Sequence, residues 1–368
     1  MRKIESAKVA IIGCGVISKA YLTAGQEFQQ YKVVSCADLF PVAAQQRASE
    51  YNLNAVSIDE VFNDESIEIV LNLTTPQSHA EITKRALEAG KHVYQEKPLG
   101  LSIEESAPLL ELAAKFGRRI GCAPDTILGG GFQTVRKLID DGLIGRPIGG
   151  TAYFLSPGPE SWHPNGDFLF KRGAGPVFDM GPYYLTALVQ LLGPIDRIFA
   201  AGQISRQERV IGSGPRKGEK FKVEVPTFVT AILVFASGAS VHLGISFDVL
   251  GHEHKPIEIY GIDGSLLVPD PNTFGGNVRL IRSGGGWQDM PHTHAYGDRN
   301  WRGIGLAEMV EAIRQGLPHR TSAEVAFHVL EIMEQINDIA VQGGERKINS
   351  TCERPRPLSP MTSIPTLE

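Results

Sequence analysis

Lys8-Val9-Ala10-Ile11-Ile12-Gly13-Cys14-Gly15-Val16-Ile17-Ser18 is an apolar run closed by two glycines, and apolar residues at helical spacing continue over 16–28. That order reads as strand, tight turn and helix. The backbone N–H groups of such a turn, with the positive end of a helix behind them, can hold a pyrophosphate. A side chain at Gly13 or Gly15 would obstruct that approach, and Val16 and Ile17 open the helix at the same contact. Ser18 stands where a third glycine is usual and is small enough for close helix–strand packing. A pattern this short also arises by chance, so the downstream residues decide its meaning.

A second apolar run, 33–37, ends at Asp38, at the interval where an acidic residue meets the adenosine ribose hydroxyls. Its charge would repel a 2′-phosphate, so NAD is expected over NADP. Arg47 is expected on the solvent face of the helix after Pro41. The strand pattern over 67–73 leaves through Thr74-Thr75-Pro76, a turn that should line the cofactor crevice. His79 reads equally as a helix-start residue bonded to local backbone or as a residue placing the cofactor. The helix over 80–89 stops at Gly90, and the strand 92–95 delivers Glu96 and Lys97. Pro98 turns Lys97 away from helical geometry. Lys97 is thereby expected at the crevice mouth, beside a nicotinamide ring.

At 368 residues with 42% apolar content the chain should form two domains with real cores. The expected division is a dinucleotide-binding domain over 1–124, a substrate and oligomerisation domain over 125–352, and an irregular Pro-rich tail over 353–368. A net charge of −5 offers no basic stripe for nucleic acid, and no apolar stretch is long enough to span a membrane. Residues 1–5 lack the apolar core of a signal peptide, so a cytoplasmic location is expected. Cys14, Cys36, Cys122 and Cys352 lack any Cys-x-x-Cys pairing and are read as free thiols. His252-Glu253-His254 and His292-Thr293-His294 have no further ligand at a recognisable spacing, so no metal is expected.

The second half alternates apolar and polar residues over 227–235 and 240–247 between Gly/Ser turns, the pattern of an antiparallel sheet. Its polar face would close over the nicotinamide or pair with another subunit. Gly129 to Gly131 and Gly284 to Gly286 read as glycine-rich turns. In Gly173-Ala174-Gly175-Pro176-Val177-Phe178-Asp179-Met180-Gly181-Pro182-Tyr183-Tyr184, Asp179 and Tyr183 lie one helical turn apart, on one face of a helix beginning near Asp179. Taken alone, Asp179 reads as a helix cap and Tyr183 as a core aromatic. Trp162 and His163, in a polar loop just before this segment, offer the ring and hydrogen-bonding groups that suit a carbohydrate face. Asp125, Thr126, Arg172, Asn300, Trp301 and Arg302 are weaker candidates.

Gly13-x-Gly15, Asp38, Thr74-Thr75-Pro76-x-x-His79, Glu96-Lys97-Pro98 and Gly173-x-Gly175-x-x-x-Asp179-x-Gly181 occur here in that order. In this set the chain resembles the glucose–fructose oxidoreductase/inositol dehydrogenase (Gfo/Idh/MocA) family over nearly its whole length. The resemblance implies an α/β fold: an N-terminal Rossmann domain, then an α+β domain with a large, mostly antiparallel open sheet that builds homodimers or homotetramers. It further implies NAD(P)-dependent hydride transfer at a carbon of a sugar or cyclitol, with Lys97, Asp179 and Tyr183 at the reaction centre. Many members carry histidine where this chain has Tyr183, and the tyrosine resembles branches that use it as the acid–base residue. Those branches tend toward NADP, against the reading of Asp38. Two alternatives share the scaffold: a glycoside hydrolase or lyase working by transient oxidation, and a non-enzymatic dinucleotide or sugar sensor.

Overall fold

The computed structural model describes residues 6–360; the readings of residues 1–5 and of the last part of the Pro-rich tail, 361–368, lie outside them. The first half is a six-stranded sheet in the order β3-β2-β1-β4-β5-β6, every pair parallel. Its strands are β1 (Ala7–Ile12), β2 (Tyr31–Ala37), β3 (Asn54–Ala55), β4 (Ile69–Asn72), β5 (His92–Gln95) and β6 (Ile120–Cys122). The helices between them are α1 (Val16–Gly25), α2 (Pro41–Tyr51), α3 (Ile58–Asn63), α4 (Pro76–Glu88) and α5 (Ile103–Phe116). Helices on both faces explain why β1 and β4 are apolar and buried almost throughout.

Register places the functional turns level with one another. Ile12 pairs with both Ala37 and Asn72, Asn72 with Gln95, and Gln95 with Cys122. The residues that leave these strands therefore meet along one edge, and the strand order reverses between β1 and β4, where a ligand crevice belongs.

Two helix boundaries differ from the sequence expectation. α1 ends at Gly25, and Phe28 turns inward to pack within about 6 Å of Tyr31, Tyr296 and Trp301. α4 begins at Pro76, with Thr75 as its N-cap, because proline's fixed φ suits the first helical position. His79 thus lies within the helix.

The second half contains α6 (Gly130–Asp140), β7 (Pro147–Leu155), α7 (Pro176–Leu192), β8 (Ile195–Gln203), β9 (Glu208–Val210), β10 (Lys220–Lys222) and β11 (Phe228–Phe235). There follow β12 (Ser240–Ser246), β13 (Ile257–Gly261), β14 (Gly264–Val268), β15 (Val278–Arg282), β16 (Gln288–Met290), α8 (Ile304–Gln315), α9 (Ala323–Gln342) and β17 (Glu345–Lys347). Nine of these strands form one sheet in the order β16-β15-β14-β13-β7-β12-β11-β8-β17. All its pairs are antiparallel except β12 with β7. α7 is buried over nearly its whole length, as expected of a helix apolar on every side. Phe199, Ile232 and His242 lie exposed on β8, β11 and β12.

Between β7 and α7, and between β8 and β11, the chain builds a satellite lobe. It has its own small core of Phe170, Ile211, Phe221, Val223 and Phe247, beside the β9–β10 ribbon. Gly129 to Gly131 are not a loose turn but the tightly packed start of α6. A Cβ on Gly129 would sit 2.2 Å from the Phe274 carbonyl oxygen. The tail over 351–360 has neither helix nor strand, yet it is tied down: Arg136 donates to Pro355 O, and Arg320 to Arg356 O and Pro357 O.

No helix among the described residues is long and apolar enough to cross a membrane. All four cysteines are free and buried.

Candidate active site

The turn after β1 is shaped by backbone rather than by side chains. Gly13 has φ +104°, and a Cβ there would lie 2.5 Å from the carbonyl carbon and oxygen of Leu73 on the neighbouring strand exit. Gly15 caps α1 and would meet nothing within 4 Å. α1 has no capping side chain and no acidic residue in its first turn, so its leading N–H groups have only Ser18's local bond to Gly15 O among them. Val16 is 92% exposed at this opening. Asp38 closes the turn from the side: Oδ2 accepts from Cys14 N at 2.7 Å and Oδ1 from Phe40 N at 2.8 Å. Leu39 and Phe40, directly beyond, are exposed apolar surface suited to a flat base. Open N–H groups, a cradle without Cβ atoms and a carboxylate at the rim fit a dinucleotide.

Arg47 is not on the solvent face. It is buried, donates through Nη2 to Cys14 O at 3.2 Å and Gly15 O at 3.3 Å, and pairs through Nη1 with Glu50. The carbonyls of a turn whose N–H groups face the crevice point the other way and need donors of their own. Arg47 supplies them.

The turns after β4 and β5 are joined by His79. Its Nδ1 lies 2.7 Å from Pro98 O and its Nε2 3.1 Å from Thr74 O, and the ring is fully buried. Burial pushes its pKa below the ordinary histidine value, against the pull of those carbonyls. Thr74 is fixed from the other side, with N and Oγ1 both donating to Asn72 Oδ1. Gln95 Nε2 donates to Pro98 O and Leu99 O, so the segment carrying Lys97 is pinned. His79 is therefore a bridge between turns. Glu96 looks back toward α1, accepting from Tyr21 OH at 2.8 Å through Oε1 and from Lys97 N at 3.1 Å through Oε2.

Lys97 points across the crevice to α7. Its Nζ donates to Asp179 O at 2.6 Å and Asp179 Oδ1 at 2.9 Å, and lies 5.2 Å from the centre of the Tyr183 ring. Burial lowers the pKa of this lysine, but the charge and hydrogen bond of Asp179, with Glu96 beyond, more than offset it and hold it above the ordinary value. The ammonium is a standing positive charge. α7 starts at Pro176, three residues earlier than expected, and Asp179 and Tyr183 still share the face that meets Lys97.

Tyr183 is 7% exposed, and its OH accepts from Arg302 Nη2 at 3.4 Å. The same nitrogen donates to Asn272 Oδ1 at 3.2 Å. Asp125, fully buried, accepts from Gly303 N at 2.8 Å and Gly305 N at 3.2 Å, which fixes the chain on either side of the α8 start. Burial lifts the Asp125 carboxyl to about 6, while Arg302 and these N–H groups pull the other way.

The weaker candidates divide. Trp301 is a core residue, its ring against Tyr296 and its Nε1 donating to Asp298 Oδ1 at 2.8 Å. Thr126 is buried, Arg172 is exposed, and Asn300 accepts from Arg302 N. Trp162 is 68% exposed and stacks edge-on with His163, which in turn meets Phe168. Among the described residues, no hydrogen bond or ring contact joins Trp162 or His163 to Lys97, Asp179 or Tyr183. Asn272 and Tyr21 escaped sequence reasoning. The polar turn Asp270-Pro271-Asn272-Thr273 was a signal for the first, and nothing marked the second.

No group of three or more His, Cys, Asp or Glu among the described residues is placed to hold a metal ion. His254 stacks on Tyr153 at 4.1 Å, and His292 and His294 face backbone carbonyls.

Residues 7–123 match the family model described as oxidoreductase family, NAD-binding Rossmann fold, and residues 132–267 match the GFO/IDH/MocA C-terminal domain. An uncharacterised oxidoreductase of Schizosaccharomyces pombe is 28% identical over 236 residues, 59% of this chain and 63% of that protein. The inositol 2-dehydrogenase/D-chiro-inositol 3-dehydrogenase of Lactiplantibacillus plantarum is 29% identical over 159 residues, 40% of this chain and 44% of that protein. The chain thus spans less than two thirds of the length of either relative. In fold it is similar to an NAD-binding oxidoreductase from Klebsiella pneumoniae, with TM-score 0.83 at 20% identity over 94% of this chain and 99% of the other.

Proposed function

The chain belongs to the Gfo/Idh/MocA oxidoreductase family, and from that premise we propose that it is an NAD-dependent oxidoreductase acting on a hydroxyl-bearing carbon of a neutral sugar or cyclitol. The observation that carries the proposal is Lys97 reaching from the β5 exit to Asp179 beneath the Tyr183 ring, on the crevice edge where the glycine turn lies. A bound nicotinamide dinucleotide would supply the hydride acceptor or donor. Gly13, Gly15, Val16 and Ile17 would hold its pyrophosphate, Asp38 its ribose, and Thr74, Thr75 and Pro76 would line its path. Asp38 and the commitment of Arg47 to the turn carbonyls favour NAD over NADP.

In oxidation, the Tyr183 oxygen takes the substrate hydroxyl proton. A cation nearby favours the phenolate that this requires, and Lys97 provides one. Asp179 aims the lysine by offering both a carbonyl and a carboxylate oxygen. The charged groups that bear on this corner are Lys97 and Arg302 against Glu96, Asp125 and Asp179. With no surplus of positive charge, the site suits a neutral polyol better than a sugar phosphate or acid. The inositol dehydrogenase likeness points the same way.

The exposed ring of Trp162 with His163 is the proposed shelf for a substrate's apolar face. The division into 1–124 and 125–352, a homodimer or homotetramer formed through the nine-stranded sheet, and a cytoplasmic location belong to the same reading.

The test is NADH or NADPH formation by purified protein across aldoses, ketoses, cyclitols and glycosides, with Lys97→Ala as control and products weighed by mass spectrometry. Net reduction of NAD with one neutral class, abolished in the control, supports the proposal. Cleavage without net cofactor change would replace it with a hydrolase or lyase. Binding without turnover of any class would replace it with a sensor.

A further inference from the structure

Arg302 has an unusual set of partners for a half-buried cation. Its Nη2 donates to two neutral oxygens, Tyr183 Oη at 3.4 Å and Asn272 Oδ1 at 3.2 Å. Among the described residues, no carboxylate forms an ion pair with it; Asp125 and Glu96 act on it only at longer range. The oxygens nearest its charge are those of a phenol and an amide, with Asp125 and Glu96 further off.

The backbone holds it there. Arg302 N donates to Asn300 Oδ1 at 3.1 Å, Gly303 adopts φ +105°, and Asp125 Oδ2 collects the N–H groups of Gly303 and Gly305. The charge of buried Asp125 also acts on Arg302 at longer range.

We propose that Arg302 is a catalytic residue acting on Tyr183: its guanidinium occupies one acceptor position of the phenolic oxygen, directing the O–H toward the substrate, and its charge stabilises the phenolate that takes the substrate proton in oxidation and is left when the O–H gives its proton up in reduction. Asn272 and Asp125 are positioning residues for it. A phenolic oxygen has one donor and two acceptor positions, so a fixed N–H in one of them restricts where the hydroxyl can point. Tyr183 then stands between two cations, Lys97 over its ring and Arg302 at its oxygen. The inference deepens the proposed function and rests on Tyr183 being the acid–base residue.

Lys97 and Arg302 contact Tyr183 directly, and the carboxylates at this corner act on those two cations: Asp179 and Glu96 on Lys97, Asp125 and Glu96 on Arg302. Burial lifts the Asp125 carboxyl to about 6 against the pull of Arg302, so it rises further when Arg302 is replaced, and each Arg302 variant is read against the same variant carrying Tyr183→Phe.

Ultraviolet difference titration of cofactor-free protein against Tyr183→Phe isolates the ionisation of this one phenol without needing a substrate. In Arg302→Gln the curve should move up by about one pH unit or more. In Arg302→Ala, added guanidinium ion should bring it back. Arg302→Lys should restore it only in part, because an ammonium lacks the planar fork. Turnover of the best substrate from the panel should fall about 10²-fold in Arg302→Gln, with NAD affinity nearly unchanged. An unmoved titration curve in a variant with native circular dichroism overturns the proposal, as does lost turnover that guanidinium does not rescue. If Tyr183→Phe keeps full turnover, the acid–base reading itself falls. If Tyr183→Phe is silent while Arg302→Gln is normal, only the role of Arg302 falls.

Discussion

The glycine turn after β1 and the Tyr183 corner at the start of α7 are built on opposite plans. The first uses backbone: a positive-φ glycine pressed against Leu73, uncapped N–H groups, and one carboxylate bonded to Cys14 N within 24 residues of chain. The second uses side chains brought together from afar. Lys97 meets Asp179 across 82 residues, Arg302 meets Tyr183 across 119, and Asp125 meets Gly303 across 178. A site made of backbone tolerates little change in shape, and one made of charges tolerates little change in charge. Substitutions should therefore separate binding from chemistry.

The sharpest separation is expected at Lys97. Lys97→Met removes the cation and leaves Asp179 without its partner, and turnover should fall by about 10²–10³. Isothermal titration should find NAD affinity changed much less. An equal loss of both would merge the two regions into one.

Gly13→Ala should do the reverse. The added methyl would sit 2.5 Å from the Leu73 carbonyl with φ at +104°, a clash and a strain together costing about 2–4 kcal/mol. Cofactor binding and thermal stability should both drop. Retention of both would mean that the turn is not pressed against β4.

Asp38→Asn is a smaller and more selective change, since the amide oxygen can still accept from Cys14 N or Phe40 N while the charge is gone. The ratio of NAD to NADP affinity should move toward NADP by about tenfold, a shift of about 1.4 kcal/mol. Parallel loss of both cofactors would show that the carboxylate shapes the turn without reading the ribose.

The last effect lies outside both regions and concerns stability, not turnover or cofactor choice. His328 Nε2 accepts from Ile195 N at 3.0 Å, which only a neutral ring can do, and burial pushes its pKa to about 4 despite Glu331. His92, whose Nδ1 accepts from Arg119 N, and His319 are likewise pushed to about 4 by burial. A free histidine titrates near ~6.5, so their contribution is complete above that pH and is lost as pH falls toward 4. For His328 the loss is on the order of 3 kcal/mol. Denaturant midpoints should fall between pH 7 and 4.5, with a shallower fall in His328→Gln. A flat profile would mean that these histidines take up protons in the folded protein as readily as in the unfolded chain.

Much of this division could be read from the residues. The parallel sheet, the glycine turn and Asp38 were legible because each is encoded in consecutive residues with a fixed period. The pair Asp179 and Tyr183 was legible because helical spacing puts them on one face, and the meeting with Lys97 came from family resemblance. Arg47 was misread, since helical spacing assigned it a solvent face and gave no hint that turn carbonyls behind it needed donors. Trp301, a weaker candidate, is a core residue because Phe28 and Tyr296 pack against its ring, a contact between distant segments that no local pattern signals. Asn272 left only the polar turn around it as a signal, and the anchoring by Asp125 left none. Contacts between distant turns leave no periodic trace.

The central claim is that Tyr183 performs chemistry and does not hold the cofactor. It is tested most directly by measuring turnover and NAD affinity of Tyr183→Phe side by side, on the substrate with the highest NADH yield. The account predicts turnover lower by about 10²–10⁴ with affinity nearly unchanged. Full turnover, or affinity falling in step with turnover, would contradict it.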